Sequence, residues 1–472
     1  MNVVPFVHEG LGNSSYLVGL SDVDALLVDP DRSVGRYLSA AEGRGWRVVA
    51  IFETHLHADF VSGARELAAR TGAVIGASAQ AGLAFEHRRL VEGDRIPLGD
   101  PSTGAGRGLA LGVLATPGHT PEHISFTVAE AGGKGPAALF SGGALIVGGA
   151  ARTDLLGPDL AEPLARQLFH TIREKLLALP DAVDVYPTHG AGSFCVAPAS
   201  TERTTTIGRE RQGNPLAQAR TEDEFLARAR SGLPSYPTYY REMRPLNQRG
   251  PRVLGGIPTL APLAPAAVRD WMAKGGSVLD VRPAPAFADS HITGAYGIAL
   301  SMPLNTWAGW LVPFGTPLVL VVEGPAEREE AVRQLIRIGY DDLRGYLEGG
   351  LAAWAQAGLP LEGIKSIGVA ELREHLAAGL GPVVLDVRDD AEWEAGHIPG
   401  AVHIESGALP AGELPLPQDR TIAVHCQHGP RATAGISVLA RRGYRDLALV
   451  EGSFPAWEAA GYAVERGPGQ PQ

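Results

Sequence analysis

Short apolar runs recur along the chain and are separated by glycine-rich turns and amphipathic stretches. In the first half, such runs predict buried strands at 16–18, 25–28, 48–52, 110–115, 124–128 and 184–186. Residues 164–179 carry apolar side chains at helical spacing, which predicts an amphipathic helix. Strands that alternate with helices in this way indicate an α/β protein.

The stretch at 231–258 interrupts this pattern, because it is rich in proline, tyrosine and arginine and shows little periodicity. We predict an inter-domain linker at 236–258, after a first domain at 1–235. Tyr236, Tyr239 and Tyr240 are costly to leave in water, so we expect the linker to pack against its neighbours.

The second half contains an internal repeat with an offset of about one hundred residues. Residues 277–282 recur as 383–388, residues 290–295 as 396–401, and residues 348–354 as 451–457. Each copy alternates strand and helix, which predicts a small parallel α/β domain. We place the two copies at 259–362 and 363–467.

Composition narrows the class of protein. A length of 472 residues predicts about three domains, and 45% hydrophobic with 20% charged residues is typical of a soluble globular protein. The net charge of −11 argues against nucleic acid or an anionic membrane as partner. We find no membrane-spanning run and no signal peptide. Two cysteines do not form a disulfide framework, so we expect a cytoplasmic protein.

A metal-binding pattern follows the predicted strand at 48–52. His55, His57 and Asp59 are spaced by single residues, on a loop before a helical pattern at 64–70. Imidazoles and a carboxylate suit zinc or ferrous iron better than calcium or magnesium. Asp29, at the end of an earlier strand, is a candidate to orient this loop or to cap a turn. The alternative is a loop with solvated histidines.

A second reactive pattern lies in the second copy of the repeat, where the strand at 421–425 ends at Cys426. The loop that follows consists of Gln427, His428, Gly429, Pro430 and Arg431. A helix is predicted to start near Ala432, so loop N–H groups, the helix dipole and Arg431 would favour the thiolate. A thiolate is the nucleophile that takes up sulfane sulfur. The alternative is an inert core cysteine.

The repeat resembles the rhodanese family in four motifs: residues 386–388, residues 396–401, the Cys426-x-x-Gly429-x-Arg431 loop, and residues 451–457. The resemblance implies that Cys426 is the sulfur-carrying nucleophile and that the loop has the sulfurtransferase length. In the first copy Glu323 stands where the cysteine is expected, while Arg328 persists. A carboxylate cannot carry sulfane sulfur, so we interpret this copy as a structural pseudo-rhodanese.

The first domain carries further motifs at 116–120, 140–145 and 187–195. Together with residues 54–60 they resemble the metallo-β-lactamase superfamily, and within it the persulfide dioxygenases. Some members of that branch are fused to a pseudo-rhodanese and then a rhodanese, the order seen in this chain. The resemblance implies an αββα sandwich and a mononuclear Fe(II) held by two histidines, here His55 and His119, and one aspartate.

This chain departs from that ligand set, because Gly143 stands at the position of the aspartate and Phe60 replaces a histidine of binuclear sites. A binuclear zinc hydrolase is therefore not expected. Two interpretations remain open. The metal, iron or zinc, is held through His55, His57 and His119 with Asp59 nearby, or the domain binds no metal.

Three further residues of this domain have open roles. His189 is a former second-site ligand, a pocket group or a buried histidine. Cys195 lines the substrate pocket or belongs to the core. Asp154 is a candidate substitute for the missing aspartate.

These observations predict a sulfur-metabolism enzyme. The first domain would oxidise a low-molecular-weight persulfide of the glutathione type to sulfite with dioxygen. Cys426 would transfer sulfane sulfur among persulfide, sulfite and thiosulfate. One alternative is a sulfurtransferase with a degenerate first domain, and another is a persulfide-binding or sensing protein without enzymatic activity. A homodimer, the thiol carrier and the direction of sulfur transfer stay open.

Overall fold

The computed structural model describes residues 1–98, 109–130, 135–196, 200–379 and 381–467. The chain divides into two compact units. The first comprises Met1–Pro258 with Ile336–Gly339, and the second comprises Thr259–Leu335 with Tyr340–Gln472.

Unit 1 contains two six-stranded sheets. The first sheet consists, in spatial order, of β1 (Asn2–His8), β2 (Asn13–Gly19), β3 (Asp24–Val28), β4 (Arg47–Phe52), β5 (Val74–Ser78) and β6 (Arg88–Leu90). The second consists of β7 (Arg95–Leu98), β8 (Leu109–Ala115), β9 (Ile124–Glu130), β10 (Pro136–Gly142), β11 (Asp184–Pro187) and β12 (Thr205–Thr206). Strands β3 to β6 are parallel, whereas β7 to β10 are antiparallel.

The helices of unit 1 pack on the outer faces of the two sheets, except for the last one, which contacts the histidine loop. They are α1 (Val34–Glu42), α2 (Ala64–Thr71), α3 (Pro158–His170), α4 (Ile207–Gly213), α5 (Glu222–Arg230) and α6 (Tyr240–Arg249), with a π-helical turn at Thr171–Leu176. One core between the sheets includes Leu26, Phe52 and Phe126. A second core packs α1 and α2 on the first sheet, and a third packs α3 and α5 on the second sheet. The unit is therefore the expected αββα sandwich.

The segment at 236–258 differs from the predicted linker, because it contains helix α6. Its tyrosines are buried as expected: Tyr239 is 0% and Tyr240 is 3% exposed. The helix is hard to detect in the sequence because Pro245 lies inside it and few of its residues are apolar. This segment belongs to unit 1 and contacts the histidine loop.

Unit 2 contains two five-stranded parallel sheets of the same topology. The first copy consists of β13 (Pro262–Leu263), α7 (Pro265–Ala273), β14 (Ser277–Asp280), α8 (Ala284–Asp289), β15 (His291–Ile292), β16 (Tyr296–Gly297), α9 (Leu304–Leu311), β17 (Leu318–Val321), α10 (Pro325–Arg337), β18 (Leu343–Leu347), α11 (Gly350–Gln356) and β19 (Leu361–Glu362). Its sheet has the order β13-β18-β17-β14-β16, and β15 pairs separately with β19.

The second copy repeats this order as β20-β24-β23-β21-β22. Its elements are β20 (Lys365–Ile367), α12 (Val369–Ala377), β21 (Val383–Asp386), α13 (Asp390–Ala395), β22 (Val402–His403), β23 (Ile422–His425), α14 (Pro430–Arg441), β24 (Leu447–Val450) and α15 (Ser453–Ala459), with a 3-10 turn at Ser406–Ala408. Both predicted small parallel α/β domains are therefore present.

The repeated sequence motifs make equivalent contacts in the two copies. Arg388 forms a buried ion pair with Asp386 at 2.6 Å, and Arg282 forms the matching pair with Asp280 at 2.7 Å. Each arginine also donates to a backbone carbonyl eight residues further on. Arginine two residues after a strand-end aspartate thus folds back on it, which explains why the motif recurs.

The strands predicted in the first half coincide with β2, β3, β4, β8, β9 and β11. The predicted helix at 164–179 is observed as α3 followed by the π-helical turn. Among the described helices, none combines the length and apolar character needed to cross a membrane.

Candidate metal centre and thiol loop

The loop between β4 and α2 is fixed by the aspartate that ends β3. Asp29 adopts a positive φ of 49°, a left-handed conformation that is costly for a residue other than glycine. Its carboxylate accepts hydrogen bonds from Thr54 N and Thr54 Oγ1, both at 2.7 Å, and from the Thr188 hydroxyl. The aspartate therefore holds the first residue of the histidine motif against the end of β11.

His57 is held through one ring nitrogen. Its Nε2 lies 3.0 Å from Glu53 Oε2 and 3.3 Å from Asp29 Oδ1. Burial lowers the pKa of His57, but the two carboxylates outweigh burial and raise it to about 10. The Phe60 ring stacks on the imidazole at 4.2 Å. The other nitrogen, Nδ1, is buried without a hydrogen-bond partner among the described residues, so it can bind a metal ion that displaces its proton.

His55 Nε2 lies 3.3 Å from His189 Nε2, and the His119 ring lies beside that of His55 with centroids 4.8 Å apart. His119 Nδ1 donates to the Arg152 carbonyl at 2.7 Å, and His55 Nδ1 lies 2.8 Å from Thr54 Oγ1. Burial and the neighbouring imidazoles hold the pKa of His55 well below its usual value and lower that of His119 to about 3. Both rings are therefore neutral, which is the form that binds a metal.

Asp59 and His189 complete the cluster. Both oxygens of Asp59 and His189 Nδ1 are buried and lack hydrogen-bond partners among the described residues, and Asp59 Oδ2 lies 3.5 Å from that nitrogen. The ligand atoms of His55, His57 and His189 lie within 4.8 Å of one another. Buried polar atoms without partners are costly, so their convergence fits a bound cation.

Cys195 joins this cluster from the other side. Its sulfur lies within 4.8 Å of ligand atoms of His119 and His189. Burial, and next the charge of Asp59, raise the pKa of the Cys195 thiol well above its usual value. In the absence of a metal this cysteine is therefore a thiol rather than a thiolate.

The ligand set implied by the family does not fit at Gly143. A Cβ atom on Gly143 would lie 2.5 Å from His119 Cδ2 and 3.0 Å from Ala151 Cβ. Asp154 does not replace the missing aspartate, because it forms an ion pair with Arg152 at 2.6 Å. The cluster thus fits a metal held by imidazoles with Asp59, but not a site with two histidines and the aspartate of that position.

Sequence reasoning missed His123, which supports the same site. Its Nε2 accepts a hydrogen bond from Gly143 N at 3.0 Å, and its Nδ1 lies 2.8 Å from Thr116 Oγ1. His123 stacks on His55 with ring centroids 5.0 Å apart. Its spacing of four residues from His119 was the available signal.

Helix α6 closes one side of the histidine loop. Asn247 Nδ2 donates to the carbonyls of His57 at 2.9 Å and Phe60 at 3.0 Å. The Tyr239 hydroxyl donates to the Asp59 carbonyl at 2.7 Å. These three bonds hold the backbone of the loop on either side of its ligands.

The thiol loop has the predicted strand-to-helix position. Cys426 follows β23 and is 1% exposed, and Gly429 N donates to Cys426 Sγ at 3.0 Å. Gly429 has a φ of 99°, which glycine adopts without cost, and this turns its N–H toward the sulfur. Helix α14 begins at Pro430, so its positive end lies beside the sulfur.

The remaining loop residues differ in their surroundings. Gln427 is half-buried and His428 is exposed. Arg431 forms two bonds to Glu392, at 2.6 and 2.7 Å. Burial raises the pKa of Glu392, but the Arg431 pair outweighs burial and lowers it to about 2. The charge expected to act on Cys426 is therefore largely compensated by a carboxylate.

His425, which sequence reasoning also missed, lies directly before the cysteine. Its ring is 0% exposed, and neither nitrogen has a hydrogen-bond partner among the described residues. Burial lowers the pKa of His425 despite the charge of Asp386, whose Oδ2 lies 3.6 Å from Nε2.

In the first copy, the equivalent loop carries the exposed Glu323 in place of the cysteine. The Arg328 guanidinium stacks on the Tyr346 ring at 3.9 Å.

Comparison with known families agrees with this architecture. The sequence pattern of the metallo-beta-lactamase superfamily matches residues 8–189, and that of the rhodanese-like domain matches residues 264–357 and 368–460. The human protein named mitochondrial persulfide dioxygenase ETHE1 is 31% identical over 197 residues, which is 40% of this chain and 68% of that protein.

A second relative matches a smaller part of the chain. The Mycobacterium tuberculosis protein named probable adenylyltransferase/sulfurtransferase MoeZ is 36% identical over 89 residues, which is 18% of this chain and 23% of that protein. Both relatives carry the names of enzymes that act in sulfur chemistry.

Among solved structures, a metallo-beta-lactamase from Staphylococcus aureus has a TM-score of 0.63 at 30% identity. The match covers 74% of this chain and 98% of that protein, so it extends beyond the αββα sandwich. This chain belongs to the metallo-beta-lactamase superfamily, as a member in which that domain, similar to persulfide dioxygenases, is followed by two rhodanese-like domains.

Proposed function

We propose that this protein is a sulfur-metabolism enzyme that transfers sulfane sulfur through Cys426. The observation that carries the proposal is the donation from Gly429 N to the buried Cys426 sulfur at 3.0 Å, at the N-terminus of α14. A backbone donor and a helix dipole stabilise negative charge on that sulfur, both as thiolate and as persulfide.

The transfer needs no cofactor. The Cys426 thiolate attacks the outer sulfur of a persulfide R–S–SH, the S–S bond breaks, and R–S⁻ leaves with the electron pair. The enzyme persulfide then donates its outer sulfur to an acceptor. With sulfite as acceptor, the products are thiosulfate and the Cys426 thiolate. The Gly429 N–H and the helix end stabilise the anion in both states.

This part of the proposal is tested by sulfur transfer from thiosulfate to cyanide and by the mass of Cys426 after exposure to a persulfide. Cys426→Ser should abolish both signals, whereas Glu323→Gln in the first copy should keep them. Transfer that survives Cys426→Ser would remove this cysteine from the mechanism. Wild-type protein that binds persulfide without transfer would favour the sensing alternative.

We further propose that the first domain oxidises a low-molecular-weight persulfide to sulfite at a metal held by its histidine cluster. Imidazoles of His55, His57 and His189 would hold it, because their ligand atoms lie within 4.8 Å of one another. Asp59, whose buried oxygens have no partner among the described residues, and His119 lie beside His189. A bound Fe(II) would supply the activation of dioxygen. Asp29 and Glu53 orient His57 in this scheme.

Fusion of the two activities has a chemical reason. Sulfite, the product of the oxidation, is an acceptor for the sulfur carried by Cys426. A shared chain raises the effective concentration of each site for the other's product.

One observation favours the simpler function of a sulfurtransferase alone. Gly143 supplies no carboxylate, and the His119 ring lies where its side chain would be. Iron-reconstituted protein should therefore be assayed for metal content, oxygen uptake and sulfite formation with glutathione persulfide. Bound iron with oxygen uptake supports the oxidation. Absence of uptake in protein that retains sulfur transfer would leave the sulfurtransferase.

A further inference from the structure

A cleft of about 560 Å³ in unit 2 opens over the loop that carries Cys426. His428, Gly429 and Thr433 of the second copy line it on the loop side. Because Gly429 N donates to the Cys426 sulfur, this wall lies one hydrogen bond from the nucleophile. A donor bound in the cleft would therefore lie beside the loop of Cys426, although Cys426 itself is not among the described lining residues.

The opposite wall of the cleft comes from the first copy, which has lost its own cysteine. Ala288 and Asp289 of helix α8 line the cleft, and α8 packs against α14. The Ile364 N–H donates to the Ala288 carbonyl at 2.7 Å, which ties the wall to the chain that enters the second copy. The position of this wall is thus fixed by packing and by a backbone hydrogen bond.

The charge of the cleft is unusual for a site that would accept thiosulfate. Asp289 and Glu451 line it, and no lysine or arginine appears among its described lining residues. The nearby Arg431 is paired with Glu392. A dianion is disfavoured between two carboxylates, whereas an ammonium group is attracted.

Two buried hydroxyls point to a ligand in the same cleft. Thr433 and Ser453 line it, are 2% and 1% exposed, and have side-chain oxygens without partners among the described residues. Ser453 also has a φ of 55°, whereas the matching position of the first copy is Gly350 with a φ of 59°. The second copy, which carries Cys426, thus has a serine at a backbone position where glycine would be unstrained.

We propose that this cleft selects persulfide donors that carry an ammonium group, such as amino-acid persulfides, and that Asp289 of the first copy pairs with that group. The Thr433 and Ser453 hydroxyls donate to the anionic part of the donor. This inference rests on the sulfur-transfer function proposed for Cys426. The reaction is the balanced exchange described above, in which the donor leaves as its thiolate and no oxidant is needed.

The test compares cysteine persulfide with N-acetylcysteine persulfide, which lacks the ammonium group. Loading of Cys426 by each donor is followed by mass spectrometry in the full-length protein, and kcat/KM is compared for the two. Asp289→Asn should reduce the preference for cysteine persulfide about threefold, the range of a partly exposed ion pair. Asp289→Lys should reduce it further and improve loading by thiosulfate.

The matched control is Asp270→Asn, which removes the same charge from an exposed position of α7 outside the cleft. It should leave the preference unchanged. If both Asp289 variants are loaded normally and keep the preference for cysteine persulfide, the selection proposed for the cleft is wrong, while the transfer function of Cys426 stands. Wild-type protein that is loaded by no donor overturns the transfer function, and the cleft proposal with it.

Discussion

The imidazole of His119 lies against the α-carbon of Gly143, so that a Cβ atom there would come within 2.5 Å of His119 Cδ2. The aspartate that the family resemblance implies at position 143 cannot be present together with the His119 ring in its observed position. Glycine is therefore compatible with the observed His119 rotamer, and a larger residue requires the ring to move.

This exclusion predicts the effect of restoring the aspartate. Gly143→Ala should destabilise the protein by about 1–3 kcal/mol, because it overpacks the site without adding a ligand. Gly143→Asp should cost a similar amount in the metal-free protein but bind Fe(II) more tightly than Gly143→Ala. Urea unfolding and metal content measure the two effects. Equal iron binding by both variants would contradict a ligand role for the new carboxylate.

Asp29 should be essential to the histidine loop. Asp29→Asn removes the charge that faces His57 and perturbs the bonds to Thr54, so we expect a loss of about 2–3 kcal/mol and lower metal content. Asp184→Asn is the control, because Asp184 is an exposed aspartate of β11. If Asp29→Asn retains metal and stability as the control does, the proposed support of the loop is wrong.

The pair of Glu392 and Arg431 predicts a gain in reactivity. Glu392→Gln removes the carboxylate that accepts two bonds from the Arg431 guanidinium. The positive charge of Arg431 near Cys426 is then no longer compensated. Alkylation of Cys426 by iodoacetamide at neutral pH should become faster, by about threefold, in low salt. Glu394→Gln, at an exposed position of the same helix, should not change the rate.

The same pair predicts how stability depends on pH. The pKa of Glu392 is lowered to about 2 from an ordinary value of 4.5. Its contribution is therefore complete above pH 4.5 and is lost as the pH falls toward 2. Glu392→Gln should be less stable than the wild type by about 1 kcal/mol near neutral pH. The difference should shrink between pH 4.5 and 2, as measured by urea unfolding followed through exposure of Cys426.

Ser453 offers a test that separates folding from function. Ser453→Gly relieves a positive φ of 55° and should stabilise the protein by about 1 kcal/mol. It also removes the hydroxyl that lines the cleft, so loading of Cys426 should become slower. If the variant is more stable and Cys426 is loaded at the wild-type rate, Ser453 has no role in the cleft.

Local patterns in the sequence were sufficient for part of this architecture. The strand, loop and helix around His55 and around Cys426 follow from apolar runs and turn residues within a few positions. The repeat predicted the equivalent folds of the two copies. In each of these cases the determining residues are close in sequence.

Contacts between segments that are distant in the sequence could not be predicted from local patterns. The partner of Arg431 is Glu392, 39 residues away, and the partner of the His57 carbonyl is Asn247, 190 residues away. The approach of His119 to Gly143 depends on a side-chain rotamer that no spacing encodes. The site could therefore be located from the sequence, but its ligand geometry could not.

Helix α6 determines where the first domain can be cut. A recombinant fragment that stops at residue 235 keeps all the histidines of the metal cluster but loses Tyr239 and Asn247, whose three bonds hold the backbone of the ligand loop. Such a fragment would leave three buried carbonyls without their donors. A fragment that keeps these three bonds must therefore extend beyond residue 235 to include α6, and the complete unit also needs Ile336–Gly339, where the Arg337 carbonyl accepts from Val61 N at 2.7 Å.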